Sequence, residues 1–373
     1  MFRVGINAQL LSGQQGYRRA GIHHYIAQVL QHLPVDNRLA YFFFTSFDGD
    51  WKRADMQQVA PAWRTESPWL RILWEQVAWP IAARRHNIDL LHSMAFVTPI
   101  WQPFPTMLTV YDLSFLHFPE RFPALQRLYL RSQTRRSCLR ARRVLTISES
   151  GRHDVHRYFG VPLQRIDVVQ PGVDERFRPY KADEVTEFRR LQQLPEKFLL
   201  HVGTLQPRKN IPTLIDALAR LNRPDLPLVL VGGKGWQYEE IFARIAAQGL
   251  NKQVRLTGYV PDEELPLWYN AASVLVFPSV YEGFGLPIVQ AMACGTPVIA
   301  ADTSSIPEAT GDAALLFAPQ DVATLVEHLV AVLDNAQQTA TMRERGLVHA
   351  SQFTWKKAGE RTAHAFLSAL SSQ

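Results

Sequence analysis

Two short segments of this chain carry the side chains best suited to chemistry. In the first, Gly203-Thr204-Leu205-Gln206-Pro207 leads from an apolar run into Arg208 and Lys209, just before a helical pattern. Pro207 stiffens the loop, so two adjacent cations project from it. In the second, an apolar run from Ser273 to Pro278 feeds Ser279-Val280-Tyr281-Glu282-Gly283-Phe284-Gly285-Leu286, and a helical stretch through Gln290 stops at Gly295-Thr296-Pro297. That layout aims backbone N–H groups and a positive helix end at one spot, which suits an anion. Glu282 at its rim can accept hydrogen bonds from hydroxyls. A ligand with both phosphate and hydroxyls satisfies the two segments together, and a nucleotide-sugar is such a ligand. Charge grows on a diphosphate as it departs, and fixed cations stabilise that growth. Arg engages phosphate bidentately, whereas Lys acts as a point charge. Taken alone, an Arg-Lys pair is a solvated turn and a Glu is an exposed loop acid. The flanking strands and glycines favour the site.

The elements that must position these residues repeat one style twice. In the first half, strands are predicted at Val4–Ala8, Leu39–Thr45, Leu90–His92, Thr106–Tyr111, Val144–Ile147 and Ile166–Val169. In the second they are predicted at Phe198–Val202, Leu228–Val231, Val254–Thr257, Val274–Phe277, Pro297–Ala300 and Ala314–Phe317, with helices between, such as Ile211–Leu221 and Val322–Asn335. Such alternation predicts α/β structure with doubly wound parallel sheets. Pro171-Gly172-Val173-Asp174 closes the first series, and a helical tail runs from Trp355 to Leu370.

The Arg208-Lys209 loop and the Glu282 loop together resemble the signature of glycosyltransferase family 4, retaining enzymes of the GT-B fold. The resemblance covers nearly the whole chain. It implies two Rossmann-like domains facing a central cleft: an acceptor-side domain over 1–172, a nucleotide-sugar domain over 173–354, and a last helix, 355–373, returning to the first domain. By the same resemblance Glu282 binds hydroxyls of the donor sugar, while Arg208 and Lys209 hold the diphosphate. Backbone groups of Gly203, Thr204, Gly283, Phe284, Gly285 and Leu286 meet sugar and phosphates. The family carries a second Glu at position 290, which holds the ribose. This chain has Gln290, which can still accept and donate but gives up a charge-assisted bond. The loop Gly13–Gly21 implies that Gly21 lets a helix N-terminus approach the diphosphate from the opposite domain. At the end of a first-half strand the family has His-Asp, and this chain has Tyr111-Asp112. Asp112 is then an orienting acid, or equally a helix cap. Tyr259 and Val260 match the loop whose backbone holds the base, although Asp262 and Glu263 beside them suit a helix start.

At 373 residues the chain has room for two cores. Residues 1–170 hold 21 Lys and Arg against 12 Asp and Glu, a balance of +9; the rest hold 19 against 22, a balance of −3. A basic first half points to an anionic membrane surface, and no nucleic-acid module accompanies it. Arg131, Arg135, Arg136, Arg140, Arg142 and Arg143 crowd one stretch, with Leu128, Leu139 and Val144 expected on its apolar side. That face is either lipid-binding or merely solvated. Trp69, Trp74 and Trp79 recur at spacing five, which buried packing also explains. No apolar run approaches a membrane span, and the opening residues read as a strand and not as a signal peptide. Cys138 and Cys294 imply no disulfide framework. The expected address is therefore cytoplasmic, peripheral on the inner face of the membrane.

No His/Cys cluster has metal-ligand spacing, so neither a metal nor another cofactor is expected. No paired nucleophile and acid supports a covalent glycosyl-enzyme. The expectation is a retaining, metal-independent hexosyl transfer from a nucleotide-diphosphate sugar to a glycan or lipid-linked acceptor in polysaccharide or glycolipid assembly. The chain is similar in style to mannosyltransferases, which makes GDP-mannose the expected donor. Two alternatives stay open: a non-catalytic nucleotide-sugar or membrane-binding subunit, on Gln290 and Tyr111, and, within the fold, a GT-B nucleotide-sugar epimerase.

Overall fold

The computed structural model describes residues 1–11, 21–45, 53, 55–61, 63, 65 and 67–371. The chain divides into two compact units, Met1–Gly172 with Trp355–Gln373, and Val173–Thr354.

The first unit is built on a seven-stranded parallel sheet. Its strands are β1 (Phe2–Asn7), β2 (Leu39–Phe44), β3 (Met56–Val59), β4 (Leu90–Ser93), β5 (Thr106–Val110), β6 (Arg143–Thr146) and β7 (Ile166–Val168), in the order β3-β2-β1-β4-β5-β6-β7. Both faces are covered, which is why β2 can read Leu-Ala-Tyr-Phe-Phe-Phe without alternation. On one face Trp74 and Trp79 stack 6.1 Å apart beneath Phe44. Trp69, the third of the evenly spaced tryptophans, is 80% exposed. On the other face the helix Trp355–Ser371 buries Trp355, Phe366 and Ala369 in the core of this unit. It packs close to the end of the helix Ile22–Gln31: a Cβ on Gly359 would stand 2.0 Å from the His32 carbonyl oxygen, so only glycine admits the contact.

The arginine-rich stretch departs from expectation. It is not one basic face. The helix Ala124–Arg140 ends before Arg143, which lies in β6 and pairs with Asp167. Arg142 donates to the Ala369 carbonyl at 2.8 Å and Arg136 to that of Ile100 at 2.6 Å. Three of the six arginines are thus tied into the fold, and Leu128 is exposed while Val144 is buried.

The second unit carries a six-stranded parallel sheet: β8 (Leu199–Val202), β9 (Leu228–Val231), β10 (Val254–Gly258), β11 (Val274–Phe277), β12 (Val298–Ala301) and β13 (Leu315–Phe317), in the order β10-β9-β8-β11-β12-β13. Strand order reverses between β8 and β11. Loops leaving two adjacent strands there run in opposite directions and open a crevice, the usual ligand position in such sheets. The Arg208-Lys209 loop leaves β8 and the Glu282 loop leaves β11. Both units are Rossmann-like parallel-sheet domains.

Candidate active site

Beyond β8 the chain forms one tight turn, Pro207–Lys209, and Asn210 adopts a left-handed conformation (φ 51°) that starts the helix Ile211–Leu221. Asn210 Nδ2 donates to the carbonyls of Pro278, at 3.1 Å, and Pro319, at 2.7 Å, which ties this turn to the loop beyond β11. The Val280 N–H donates to the Arg208 carbonyl at 2.9 Å, a second tie. The loops are therefore set relative to each other by backbone before any charged side chain acts.

The charged side chains then converge. Arg208 Nη1 donates to Glu282 Oε2 at 2.7 Å, and Lys209 Nζ donates to Glu282 Oε1 at 2.6 Å. Arg208 Nη1 also donates to the Tyr281 carbonyl at 3.0 Å. Glu282 is only 8% exposed. Burial alone would push its carboxyl up, but the charges and hydrogen bonds of Arg208 and Lys209 outweigh that and hold it down at about 2. The backbone of Glu282 is fixed as well: its N–H donates to Ser304 Oγ at 3.0 Å, and Ser305 Oγ donates to its carbonyl at 2.9 Å. Two cations against one carboxylate leave the cluster net positive. Lys209 Nζ also lies 5.0 Å from the centre of the Phe277 ring, a cation–π seat within the same cluster.

The helix Leu286–Ala293 opens at Gly285, whose φ of 104° places it where a side chain is strained. The family model for glycosyl transferases group 1 matches residues 184–348, and that for Glycosyltransferase Family 4 matches residues 20–177. The O-antigen chain mannosyltransferase B of Escherichia coli is 34% identical over 262 residues, 69% of each chain. The chain belongs to this glycosyltransferase family. The Escherichia coli serotype-specific mannosyltransferase WbdA is 28% identical over 280 residues, 72% of this glycosyltransferase but 34% of that relative, so the likeness spans about a third of it. In solved structures, a sucrose-phosphate synthase from Thermosynechococcus elongatus superposes with a TM-score of 0.79 at 20% identity over the whole of both chains. Anabaena HepE in complex with UDP and glucose superposes with a TM-score of 0.75 at 21% identity, over 99% of this chain and 100% of that one. The neighbours are GT-B glycosyltransferases, and at these identities the likeness concerns the fold.

Within the glycosyltransferase, the sequence candidates fall into distinct groups. Arg208, Lys209 and Glu282 form one ion cluster, and Gly203 borders it: a Cβ there would stand 3.2 Å from Lys209 Cε. Thr204 is exposed, and Gly283 and Leu286 are partly so, beside buried Phe284, which packs edge-on against Phe353 at 5.4 Å. Gln290 lies one turn into the helix, where its Oε1 accepts from Tyr269 at 3.2 Å. Tyr259, exposed, and Val260, partly exposed, follow β10, two strands away from β8. In the first unit, Gly21 caps the helix Ile22–Gln31 with a φ of 71°, and the loop 13–20 before it lies outside the described residues. Tyr111 is a core residue whose hydroxyl donates to the Met94 carbonyl at 2.7 Å. Asp112 Oδ1 accepts the Ser114 N–H at 2.9 Å, a local turn just ahead of the helix Ser114–His117, whose N-cap position is Leu113.

Sequence reasoning missed His201. It is fully buried in β8, and its Nδ1–H donates to the Val276 carbonyl at 3.0 Å, which leaves Nε2 as a lone pair with no hydrogen-bond partner among the described residues. Burial lowers its pKa to about 4, so the ring is neutral. Its ring stacks on Phe277, and the point where a Gly203 Cβ would sit is 3.5 Å from both His201 Nε2 and Lys209 Nζ. The signal was available: His201 is the sole polar residue in Leu199-Leu200-His201-Val202. Elsewhere in this unit, a cavity of about 370 Å³ lies at the amino-terminal ends of the strands, bordered by Arg189, Asn270 and Thr296. Arg189 donates to Ala271, Asn270 to Arg178 and Pro266, and Thr296 to Tyr269, so these groups already serve the fold. Among the described residues, no group of three or more His, Cys, Asp or Glu is placed to hold a metal.

Proposed function

We propose that this glycosyltransferase moves a hexose, with retention of configuration and without a metal ion, from a nucleotide-diphosphate sugar to a glycan or lipid-linked acceptor. The observation that carries the reading is the convergence of Arg208 and Lys209 on Glu282 at the β8/β11 reversal. A diphosphate supplies the negative charge that a net positive cluster favours. Glu282, held ionised, then exchanges part of its bonding with the cations for hydroxyls of the sugar. Arg208 and Lys209 stabilise the phosphate oxygen as the C1–O bond breaks. The acceptor hydroxyl forms the new C1–O bond on the same face, and its proton passes to the departing diphosphate.

The remaining assignments follow the same reading. Backbone groups of Gly203, Thr204 and Gly283 to Leu286 meet the sugar and phosphates. Gln290 takes the ribose through its amide, and Tyr259 and Val260 hold the base. Gly21, Tyr111 and Asp112 belong to the acceptor-side unit. The names of the mannosyltransferase relatives support mannose, hence GDP-mannose, and a place in polysaccharide or glycolipid assembly. The excess of cations in residues 1–170 supports work at an anionic inner membrane face as a peripheral protein; among the described residues no helix is long and apolar enough to cross a bilayer.

A thermal-shift series with UDP, GDP, dTDP and their sugars tests the donor, because a ligand at 100 times its Kd stabilises by about 2.7 kcal/mol. GDP-mannose is expected to give the largest shift and slow hydrolysis to the α-anomer in excess EDTA. Binding without any turnover, inverted product, or loss of activity restored by magnesium would each overturn a named part of the reading.

A further inference from the structure

Among the described residues, the first unit exposes an apolar stripe along one helical segment. The helical segment from Pro68 to Arg85 turns Trp74, Trp79 and Ala83 inward, against Phe42, Phe44 and Leu91. Its other side presents Trp69 (80% exposed), Leu73 (51%), Val77 (48%) and Ile81 (42%). Residues four apart share a helix face, so these side chains form one row. Scattered exposed apolar residues need no explanation, but a contiguous row marks an interaction surface.

Two further pieces extend the row. Ile100 and Trp101, both at least half exposed, lie in a loop pinned at its centre: the Ile100 N–H donates to Gln76 Oε1 at 2.8 Å, and its carbonyl accepts from Arg136 Nη2 at 2.6 Å. Gln76 belongs to the first helical segment and Arg136 to the helix Ala124–Arg140, so the loop bridges the two. At the start of that second helix Leu125 and Leu128 are exposed. Arg127, Arg131 and Arg135, again four apart, follow them and are exposed too.

On the two helical segments themselves the outward charges have one sign, although Glu120, in the turn Pro119–Arg121 before the second helix, is exposed. The helix Ala124–Arg140 contains no acid at all. Among residues 68–85 the one acid is Glu75, which is turned inward, accepts from Asn7 at 3.2 Å and lies 4.0 Å from Arg71. Tryptophans within the apolar row, arginines beside it and no outward acid on either helical segment match a bilayer surface: aromatic rings favour the headgroup level, and cations favour anionic phosphates.

We propose that this face docks on a bilayer containing anionic lipid. Trp69, Leu73, Val77 and Ile81 enter the boundary between headgroups and acyl chains, to roughly the 5–10 Å depth usual for interfacial helices. Arg127, Arg131 and Arg135 engage lipid phosphate alongside. The proposal rests on the peripheral-membrane part of the function proposed above and adds to it that apolar insertion, and not charge alone, holds the enzyme.

The test is co-sedimentation of the full chain with phosphatidylcholine vesicles, with and without phosphatidylglycerol, at low and high salt. The native chain, a Trp69→Ser/Leu73→Ser/Val77→Ser variant and an Arg127→Gln/Arg131→Gln/Arg135→Gln variant are compared. The serine variant is expected to partition at least tenfold less at either salt. The glutamine variant is expected to lose binding at low salt and most of its salt dependence. Donor hydrolysis in solution is expected to stay unchanged in both, since neither touches the Glu282 cluster. Native-like binding by the serine variant would overturn insertion while leaving the peripheral reading intact. No binding of the native chain to anionic vesicles would overturn both. A serine variant that loses self-association in ultracentrifugation while keeping its vesicle binding would reassign the row to a second copy of the chain.

Discussion

The two units share one plan, a parallel sheet covered by helices on both faces, yet they end their strands in opposite ways. In the second unit the loops beyond β8 and β11 bring three ionised groups within hydrogen-bond distance of each other. Among the described residues, the strand ends at β4 and β5 of the first unit hold no such ion cluster. His92 in β4 is buried against Thr109 Oγ1 at 2.9 Å with its pKa lowered to about 3, and Tyr111 beyond β5 donates into the backbone. A buried charge persists only where a partner offsets its desolvation. The second unit supplies such partners from loops 73 residues apart in sequence, whereas His92 and Tyr111 of the first unit stay uncharged. What the first unit offers is surface: exposed arginines and an apolar row. Under the functions proposed above, one scaffold would carry chemistry in one copy and attachment in the other.

The largest expected effect bears on the charge cluster itself. Glu282 has an ordinary value of 4.5 and a folded value of about 2. Its pKa is depressed on folding, so its contribution is fully present above about pH 4.5 and is lost as pH falls toward 2, because the unfolded chain binds the proton first. The span corresponds to roughly 3 kcal/mol, at about 1.4 kcal/mol per pH unit. Glu282→Gln should therefore be less stable than the native chain at pH 7, with a gap that closes as pH falls below 4.5. His201 and His92, also depressed, contribute a separate loss that begins near 6.5; that of His92 is common to both proteins, whereas the Glu282 charge holds His201 up slightly in the native chain. Denaturant unfolding from pH 7 to 3.5 measures the gap. A gap that is constant across that range would mean that the cluster is not an ion cluster in solution.

Next in size is Lys209→Ala. A donor removed from a developing charge typically costs about a hundredfold in turnover, or ~2.7 kcal/mol. That loss is expected here in steady-state sugar transfer, with a folded protein by circular dichroism. Arg140→Ala, removing an exposed cation of the first unit, should leave transfer to a soluble acceptor unchanged. Equal losses in the two would erase the contrast between the units.

Much of this contrast was legible before any coordinates. Leu228–Val231 and Val274–Phe277 stand where their apolar runs predicted them, because strands buried on both faces advertise themselves. β3 did not, since Met-Gln-Gln-Val at a sheet edge has neither an apolar run nor full burial. The candidate loops could be recognised separately, but their joining through Asn210 and the backbone of Arg208 depends on tertiary hydrogen bonds that no spacing encodes. The arginine stretch misled for a related reason. Composition cannot tell Arg131, facing solvent, from Arg142, reaching the C-terminal helix, or Arg143, paired across strands. The apolar row was hidden because Trp69, Trp74 and Trp79 look alike in sequence, and only packing separates the exposed ring from the stacked pair.

The smallest expected effect lies at Asp112, where the contrast is easiest to break. By resemblance this carboxylate is an orienting acid, and by geometry it accepts the Ser114 N–H at 2.9 Å at the start of the helix Ser114–His117. The two roles separate cleanly under substitution. Asn keeps the accepting oxygen and removes the charge, whereas Ala removes both. If that local hydrogen bond is the main role, Asp112→Asn changes kcat/KM by less than about threefold, or ~0.7 kcal/mol, and leaves the melting temperature near the native value. Asp112→Ala then costs about 1 kcal/mol of stability, the usual net worth of one lost hydrogen bond, again with little loss of turnover per folded molecule. A fall in kcat/KM for Asp112→Asn that rivals Lys209→Ala, with the fold intact, would put an essential charge in the first unit. The chemistry would then belong to both copies of the scaffold and not to one.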